Sequence, residues 1–258
     1  MTKWSQINAW LHYRKTSVTK HGVHSPFVFT LATKVFPGPK NSDPEEHPAE
    51  DYRTELIMSN RVIDVQDFGT GISGPRKVAA IAKHSAKSPK EGQLLHRIVK
   101  HFGPKKMLEL GTSLGITTIY EATATPFEKF ITLEGCPNTA SLAEEIFRKE
   151  NLHVEVRTGE FGTTLKNALD SLENVDYVFF DGNHREEATL DYFETCLPYA
   201  NNDSVFVFDD IHWSPEMENA WEKIKTDPRV RLSIDVFHFG LVFFREEQME
   251  KEDFVLRY

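Results

Sequence analysis

The sequence predicts an α/β fold with a mostly parallel sheet, and three observations support this prediction. From residue 104 onward, apolar runs typical of strands alternate with amphipathic helices, a pattern that builds a parallel sheet covered by helices. Residues 229–237 and 241–245 are separated by only three residues, too few for a crossover helix, which predicts an antiparallel final pair. Strand-like runs hardly occur before residue 104. We therefore predict a mainly helical N-terminal extension or lid, residues 1–103, and a core domain, residues 104–258.

The individual elements follow from apolar periodicity and from turn residues. The predicted core strands are residues 106–110, 130–134, 154–158, 177–181 and 204–209. The predicted N-terminal helices are residues 4–13, 26–35, 50–59, 76–83 and 89–102. The charged tail, residues 246–253, is expected to be solvated surface.

Composition and charge exclude several classes of protein. The chain has 30 Lys and Arg against 39 Asp and Glu, and the resulting net charge of −9 repels a phosphate backbone, so we expect no nucleic-acid partner. The two cysteines, Cys136 and Cys196, form no short-spaced metal or redox motif, which indicates free thiols in a reducing compartment. No signal peptide and no run of about 18 apolar residues occurs. We therefore expect a cytoplasmic protein without a membrane partner.

A glycine-rich turn, residues 108–115, joins the first core strand to a helix. Glycine lets a ligand approach the backbone, and the start of a helix favours an anionic group such as an amino-acid carboxylate. The spacing Glu-x-Gly-x-x-x-Gly differs from that of dinucleotide-binding loops, which disfavours an NAD enzyme. The next strand ends in Glu134, an acid suited to ribose hydroxyls. The alternative is that Gly111 and Gly115 only form a tight turn. A similar loop at residues 67–71 precedes no second strand ending in an acid, and we interpret it as a turn.

Acidic residues end two further core strands. Asp181 ends the fourth strand, and Asp209 and Asp210 end the fifth. Neighbouring strands lie about 4.8 Å apart, so these carboxylates are expected to meet and to bind a hard divalent cation such as Mg²⁺. In the alternative interpretation Asp181 contacts a cofactor, Asp209 orients a loop and Asp210 caps the helix near Pro215.

Four segments together resemble a known enzyme class. Residues 109–115, 132–135, 179–184 and 207–210 resemble the ordered motifs of class I S-adenosylmethionine (SAM)-dependent methyltransferases, and within that class the catechol and macrocin O-methyltransferase types. Residues 21–27 resemble a bacterial branch of the class, a likeness that brings no activity with it. The resemblance implies a Rossmann-like methyltransferase sheet with an antiparallel final strand.

The resemblance also implies roles for individual residues. Glu109 and Thr117 would hold the methionine amino and carboxylate groups, Glu134 the ribose, and Glu160 or Phe161 the adenine. The other expected SAM-binding residues, several of which contact the cofactor through their backbone, are Gly111, Thr112, Ser113, Gly115, Gly135 and Asp181.

The catalytic prediction centres on His184, together with Asp181. His184 follows Asp181 by three residues, where catechol-type enzymes have their catalytic lysine, and a neutral imidazole suits proton removal from a hydroxyl group. The alternative is a histidine at a helix start that is bonded to a carboxylate. Catechol-type enzymes hold a metal at the places of Asp181, Asp209 and Asp210, but they have Asn where this chain has Asp210.

Four further residues have two interpretations each. His212 and Trp213 are expected on the rim of the pocket, with ordinary packing as the alternative for Trp213. His21 and His24 are expected to shape a lid, because two histidines without further ligands make a poor metal site.

The sequence thus predicts a SAM-dependent methyltransferase that carries out metal-assisted O-methylation of a small hydroxylated molecule. The alternatives are a metal-independent N- or O-methyltransferase, an NAD(P)-dependent oxidoreductase and a non-catalytic cofactor-binding module. The sequence does not identify the acceptor. A homodimer is compatible with it, but the oligomeric state is not fixed.

Overall fold

The computed structural model describes residues 3–38, 47–68, 73–84 and 86–257. The α-helices are α1 (Lys3–Thr16), α2 (Pro26–Thr30), α3 (Pro48–Met58), α4 (Val78–His84), α5 (Pro89–Phe102), α6 (Ile116–Ala122), α7 (Pro137–Lys149), α8 (Phe161–Leu172), α9 (Glu186–Cys196) and α10 (Pro215–Thr226). The strands are β1 (Val62–Val65), β2 (Gly74–Lys77), β3 (Lys106–Leu110), β4 (Lys129–Glu134), β5 (Val154–Thr158), β6 (Val175–Phe180), β7 (Ala200–Asp209), β8 (Leu232–Asp235), β9 (Phe239–Phe243) and β10 (Glu252–Val255).

The chain divides into two compact units. The first contains residues 1–37 and 174–258, and the second contains residues 38–173. Each unit combines helices with strands of the α/β pattern. The division between a lid and a core near residue 104 stays a prediction.

In the second unit, β3, β4 and β5 lie side by side in that order and are parallel. The register pairs Glu109 with Thr132 and Glu134 with Thr158. Because parallel strands end at the same edge of a sheet, the loops after β3, β4 and β5 meet there. Glu109 and Glu134 therefore lie at or near the ends of neighbouring strands, and Gly111, Ser113 and Gly135 lie on the loops that follow them.

In the first unit the strand order is β10-β8-β9-β7-β6. Strands β6 and β7 are parallel, as are β8 and β10, whereas β9 is antiparallel to both β7 and β8. The predicted α/β class, mostly parallel with an antiparallel pair near the end, is therefore confirmed. The pairing of Phe180 with Phe208 places the next residue of β6, Asp181, beside the end of β7 at Asp209.

Aromatic packing fixes β6 and β7 beneath these acids. Phe206 and Phe208 alternate along β7 and so project to the same face of the sheet. The Phe180 ring stacks on Phe208 with centroids 4.3 Å apart, and Phe193 of α9 meets both Phe206 and Phe208 nearly edge-on. All four rings are buried. Burial of several large aromatic side chains, each contributing roughly 2–3 kcal/mol, makes the strand ends a rigid base.

Two strands differ from the sequence expectations. Arg76 and Lys77 belong to β2, which pairs with β1 in an antiparallel ribbon, so the helix predicted for residues 76–83 begins only at Val78. Glu252 and Asp253, expected in a solvated tail, form the start of β10, where the Ser233 hydroxyl donates to the Asp253 carboxylate at 2.7 Å. Both strands have few apolar residues, and pairing with a neighbour decides their conformation.

Candidate active site

The loop after β3 contains three residues with positive φ, a backbone conformation that few residue types adopt readily. Gly111, Ser113 and Gly115 have φ of 108°, 49° and 82°. The N–H groups of Gly111 and Thr112 both donate to the Leu133 carbonyl of β4, at 2.9 and 3.1 Å. The loop is thereby fixed to the neighbouring strand before α6 begins.

Gly115 is required by packing as well as by backbone conformation. A Cβ atom at this position would lie 2.9 Å from the Phe147 ring and 3.2 Å from the Ala143 Cβ, both on α7. Contacts under 3.0 Å force a neighbour to move, and L-residues rarely adopt this φ. The glycine signal in the sequence thus reflects a close approach of α6 to α7.

Glu134, at the end of β4, joins two loops through its carboxylate. One oxygen accepts the Ser113 N–H at 2.7 Å, and the other accepts the Cys136 N–H at 2.8 Å. Burial raises the pKa of Glu134, and the backbone N–H donors partly offset that rise because they stabilise the anion. The predicted ribose acid is therefore held by donors from both sides in a half-buried position.

Glu109 lies beneath the loop and is completely buried. Its Oε2 accepts hydrogen bonds from the Thr118 and Thr132 hydroxyls at 2.5 and 2.6 Å. Thr112 Oγ1 lies 2.6 Å from Thr132 Oγ1, and because Thr132 donates to Glu109, Thr112 is the donor of this pair. The roles of Thr118 and Thr132 were not predicted from the sequence. The available signal was Thr132, a polar residue between the apolar residues Ile131 and Leu133 of β4.

Three further predicted cofactor residues belong to the same unit, whereas Asp181 belongs to the first unit. Thr117 is buried in α6, Glu160 is exposed just before α8, and Phe161 is half-buried at its first residue. Their predicted contacts with SAM, like the roles of Glu109, Glu134 and Gly135, stay predictions.

Phe68 was not predicted as part of this region. A Cβ atom at Gly135 would lie 2.6 Å from the Phe68 ring, so that ring lies against the turn that follows Glu134. The loop at residues 67–71, interpreted from the sequence as a turn, therefore begins beside the candidate cofactor site. Residues 69–71 lie outside the described residues.

In the first unit, Asp181, His184 and Asp209 form a group of potential metal ligands. One ligand atom from each lies within 4.8 Å of the others. His184 Nε2 is 3.5 Å from Asp181 Oδ1 and 4.0 Å from Asp209 Oδ2. The Asp209 side chain is almost fully buried, whereas those of Asp181 and His184 are partly exposed. The group is thus buried at Asp209 and accessible to solvent at Asp181 and His184.

Asp210 is not in that group. It adopts φ of 53°, and its N–H donates to the His238 carbonyl at 2.8 Å. It is also not the cap of α10, because the Ser214 hydroxyl accepts the Met217 N–H at 3.2 Å and fills that role. The alternative interpretation of Asp210 as a helix cap is therefore wrong, and its role as a metal ligand stays a prediction.

His212 follows on the same loop and is bonded to two elements. Its Nε2 lies 2.8 Å from Asp235 Oδ2 of β8, its Nδ1 lies 3.4 Å from Glu218 Oε1 of α10, and its ring stacks on Phe237 at 5.3 Å. Burial lowers the pKa of His212, but hydrogen bonds and charges from Asp235 and then Glu218 outweigh it, so the pKa is raised.

The remaining candidates give mixed outcomes. Trp213, next to His212, is 47% exposed, which disfavours ordinary packing as its role. His21 and His24 are exposed; within the described part of the chain they join no group of three potential metal ligands, and their lid role stays a prediction. Cys136 and Cys196 are free, as predicted, and both are buried. No helix among residues 3–38, 47–68, 73–84 and 86–257 has the length and apolarity needed to span a bilayer.

Comparisons with known proteins agree with this geometry. The chain is 29% identical over 128 residues to a catechol O-methyltransferase of Niastella koreensis, covering 48% of this chain and 57% of the relative. It is 41% identical over 61 residues to the human transmembrane O-methyltransferase, covering 23% of this chain and 21% of the relative. The chain therefore spans little more than half of the first relative and about a fifth of the second.

Solved structures show the same fold. An O-methyltransferase from Bacillus cereus in complex with S-adenosylhomocysteine (SAH) is 25% identical with a TM-score of 0.55, covering 64% of this chain and 86% of that one. The O-methyltransferase TomG from Streptomyces achromogenes, in complex with SAM, is 23% identical with a TM-score of 0.55, covering 62% and 82%. Residues 108–211 match the family model described as a methyltransferase domain. The predicted resemblance is therefore confirmed: residues 108–211 are similar to methyltransferase domains, and the chain has the fold of class I methyltransferases.

Proposed function

We propose that this protein is a SAM-dependent O-methyltransferase that methylates a hydroxyl group of a small molecule with the help of a divalent cation. The observation that carries the proposal is the convergence of Asp181, His184 and Asp209, within 4.8 Å, inside a chain that has a methyltransferase domain. These residue types at adjacent strand ends suit the binding and deprotonation of a hydroxyl group.

The residues around Glu134 fit SAM. A carboxylate oxygen has more than one lone pair, so Glu134 can accept ribose hydroxyls while it still accepts the N–H groups of Ser113 and Cys136. Gly111, which has a positive φ, has no side chain that would keep a ligand away from its backbone. When bound, SAM supplies an electrophilic methyl group on its sulfonium; this chain binds and orients it.

The donor set also fits a divalent cation. Ligand atoms at about 2.0–2.2 Å from one ion are roughly 3–4.3 Å apart. The distances of 3.5 and 4.0 Å from His184 Nε2 to the two carboxylates lie in that range and exceed a normal hydrogen bond. An imidazole ligand favours ions such as Mn²⁺, Co²⁺ or Zn²⁺ over Mg²⁺. A cation held by these residues supplies positive charge that lowers the pKa of a nearby hydroxyl group.

A metal-independent mechanism is the second candidate. Here His184 accepts the hydroxyl proton, and the carboxylates of Asp181 and Asp209 stabilise the imidazolium that results. Because His184 cannot be a metal ligand and the base through the same nitrogen, the two candidates predict different responses to metal removal.

The test combines metal removal with two matched variants. Methyl transfer from SAM to a panel of phenols and catechols is measured after chelation and after addition of Mg²⁺, Mn²⁺ or Co²⁺. We expect activity to disappear on chelation and to return best with Mn²⁺ or Co²⁺. Calorimetric titration with Mn²⁺ should show that His184→Ala loses at least tenfold in affinity, whereas Asp210→Asn binds the ion as the wild type does.

Other outcomes have definite meanings. Full activity in the presence of chelator would support the metal-independent candidate, and His184→Ala should then lose roughly 10²- to 10⁴-fold in turnover. Loss of Mn²⁺ affinity in Asp210→Asn would restore the ligand set predicted from the sequence. SAH that binds more weakly than NAD would contradict the proposed cofactor. The cytoplasmic location and a homodimer remain parts of the proposal that fractionation and light scattering test.

A further inference from the structure

Helix α1 has apolar side chains on two sides. On one side Tyr13 is buried, and its ring lies against Phe237 with centroids 5.1 Å apart. On another side Ile7, Trp10 and Leu11 are 48%, 46% and 53% exposed. Residues three and four positions apart are neighbours on a helix, so these three side chains form one apolar surface, the α1 patch. A contiguous exposed surface of this kind is typical of an interaction site.

The last turn of α1 is attached to the C-terminal segment of the same unit. The Tyr13 hydroxyl donates to the Leu256 carbonyl. The Val18 N–H donates to the Val255 carbonyl at 2.8 Å, and the Arg257 N–H donates to the Val18 carbonyl at 3.0 Å. The α1 patch therefore lies on a helix that is already folded and anchored. Such a helix loses little conformational entropy when it binds a partner.

Positive charge surrounds the α1 patch. Residues 1–42 contain six of the 30 Lys and Arg of the chain and none of its 39 Asp and Glu. Arg14 lies one turn after Trp10, and its guanidinium group is 5.4 Å from the centroid of the Trp10 ring. Arg14, Lys15 and Lys20 are all exposed. An apolar and basic surface thus stands out in a chain whose net charge is −9.

We propose that the α1 patch docks on a membrane surface that contains anionic lipids. Helices that lie in a membrane interface place Trp and Leu side chains at the boundary between headgroups and acyl chains, and their Lys and Arg attract anionic headgroups. Trp10 is of the residue type that is enriched at this depth. The sequence expectation of no membrane partner considered only spanning segments and signal peptides, and an interfacial helix needs neither.

The acidic remainder of the chain is compatible with this docking. At physiological ionic strength, charges more than about 8 Å apart are largely screened, so the basic residues at the interface dominate. Pairing of two copies through the α1 patch is disfavoured by the same charges. A two-fold interface brings identical surfaces together, and it would place Arg14 and Lys15 of both copies at one interface.

The experiment measures binding of the full chain to lipid vesicles by sedimentation. One set of vesicles contains phosphatidylcholine alone, and the other contains phosphatidylcholine and phosphatidylglycerol in equal parts. We expect binding to the anionic vesicles only, and we expect added salt to weaken it. Leu11→Ser should weaken binding roughly tenfold because it removes an apolar side chain from the interface. Arg14→Gln should weaken it roughly fivefold, the usual contribution of one basic residue near an anionic surface.

Two variants on other helices are matched controls. Met58→Ser replaces an exposed apolar residue of α3, and Arg148→Gln removes an exposed basic residue of α7. Both should bind the anionic vesicles as the wild type does. Thermal unfolding of each variant confirms that it is folded, and the midpoints should match that of the wild type because the replaced side chains are exposed. The measurement needs neither SAM nor an acceptor, so its result is independent of the proposed function.

The inference is overturned if the wild type does not bind the anionic vesicles, or if it binds both kinds of vesicle equally. Binding that Leu11→Ser leaves unchanged, or that Met58→Ser weakens as much, also overturns it. Light scattering without vesicles tests the second occupant. If the wild type is a dimer and Leu11→Ser is a monomer, the α1 patch is an interface between two copies and not a membrane-docking surface.

Discussion

Replacement of Gly115 by Ala tests whether the candidate cofactor loop, residues 111–115, is shaped by packing as well as by backbone conformation. The residue has φ of 82°, and a left-handed conformation costs an L-residue about 1–2 kcal/mol. The new methyl group would lie 2.9 Å from the Phe147 ring, and overpacking of this kind costs typically about 1–3 kcal/mol. We therefore expect Gly115→Ala to lose about 2–5 kcal/mol of unfolding free energy.

Substitutions at two other glycines separate the cost of the backbone conformation from the cost of overpacking. Gly103 also has a left-handed backbone, with φ of 58°, but a Cβ atom there meets nothing within 4 Å. Gly103→Ala should therefore show the backbone cost alone, about 1 kcal/mol. Gly162, in α8, has neither a left-handed φ nor a neighbour within 4 Å, so Gly162→Ala should be neutral or stabilise by about 0.4–1 kcal/mol.

Thermal and urea unfolding of the three variants measure these differences. For a chain of this size, 1 kcal/mol corresponds to roughly 2–4 °C, so Gly115→Ala should melt about 4–20 °C below the wild type. Its SAH affinity should also fall, because α6 must shift away from Phe147. If Gly115→Ala is no less stable than Gly103→Ala, the contact with α7 does not shape the loop.

The remaining predictions concern one ligand contact and one pH dependence. Glu134→Ala should weaken SAH binding, measured by calorimetry, by about 1–3 kcal/mol because it removes charged hydrogen-bond acceptors. The control is Glu155→Ala on the neighbouring β5, which should leave the affinity unchanged. If Glu134→Ala binds SAH as tightly as the wild type does, Glu134 is not part of the cofactor site. Burial, together with repulsion from His96, lowers the pKa of His47 to about 4. Between about pH 4 and 6.5 the unfolded chain therefore binds more protons than the folded chain does. The free energy of unfolding should fall as the pH falls through that window. After allowance for the partial exposure of the ring, the loss is about 1–2 kcal/mol by urea unfolding. His47→Asn keeps a helix-capping side chain and should make stability less dependent on pH. If this variant has the same pH dependence as the wild type, His47 is not its source.

The parts of the fold that the sequence predicted are those with long apolar runs. Strands β3 and β5 have the predicted bounds, and the ends of β6 and β7 bring Asp181 and Asp209 together as expected. These outcomes depend on local periodicity and on the rule that parallel strands end at one edge. The ribbon of β1 and β2 and the edge strand β10 lack such runs, and their partners determine them.

The sequence does not display which residues form the group of potential metal ligands. Asp210 is adjacent to Asp209 in the chain, but its N–H bonds to the His238 carbonyl of the β8–β9 connection and its backbone is left-handed. A partner nearly thirty residues away thus sets its conformation. His184 Nε2 lies 3.5 Å from Asp181 Oδ1 and 4.0 Å from Asp209 Oδ2, and its role as a base stays a prediction. The sequence located the acids; tertiary contacts determined which third residue joins them.

Glu109 and Glu134, the two acids of the candidate cofactor site, differ in burial and in their hydrogen-bond donors. This difference indicates which acid positions the loop and which is open to a ligand. Glu109 is fully buried and accepts hydroxyl hydrogens from Thr118 of α6 and Thr132 of β4, so it joins a strand to its neighbour and to the following helix. Glu134 is half-buried and accepts backbone N–H groups from two loops, so a ligand can still reach its carboxylate. A buried carboxylate is stable only when donors surround it, and those donors are therefore constrained in turn. We expect Glu109 to set the position of the loop from below, while Glu134 is the acid available to SAM.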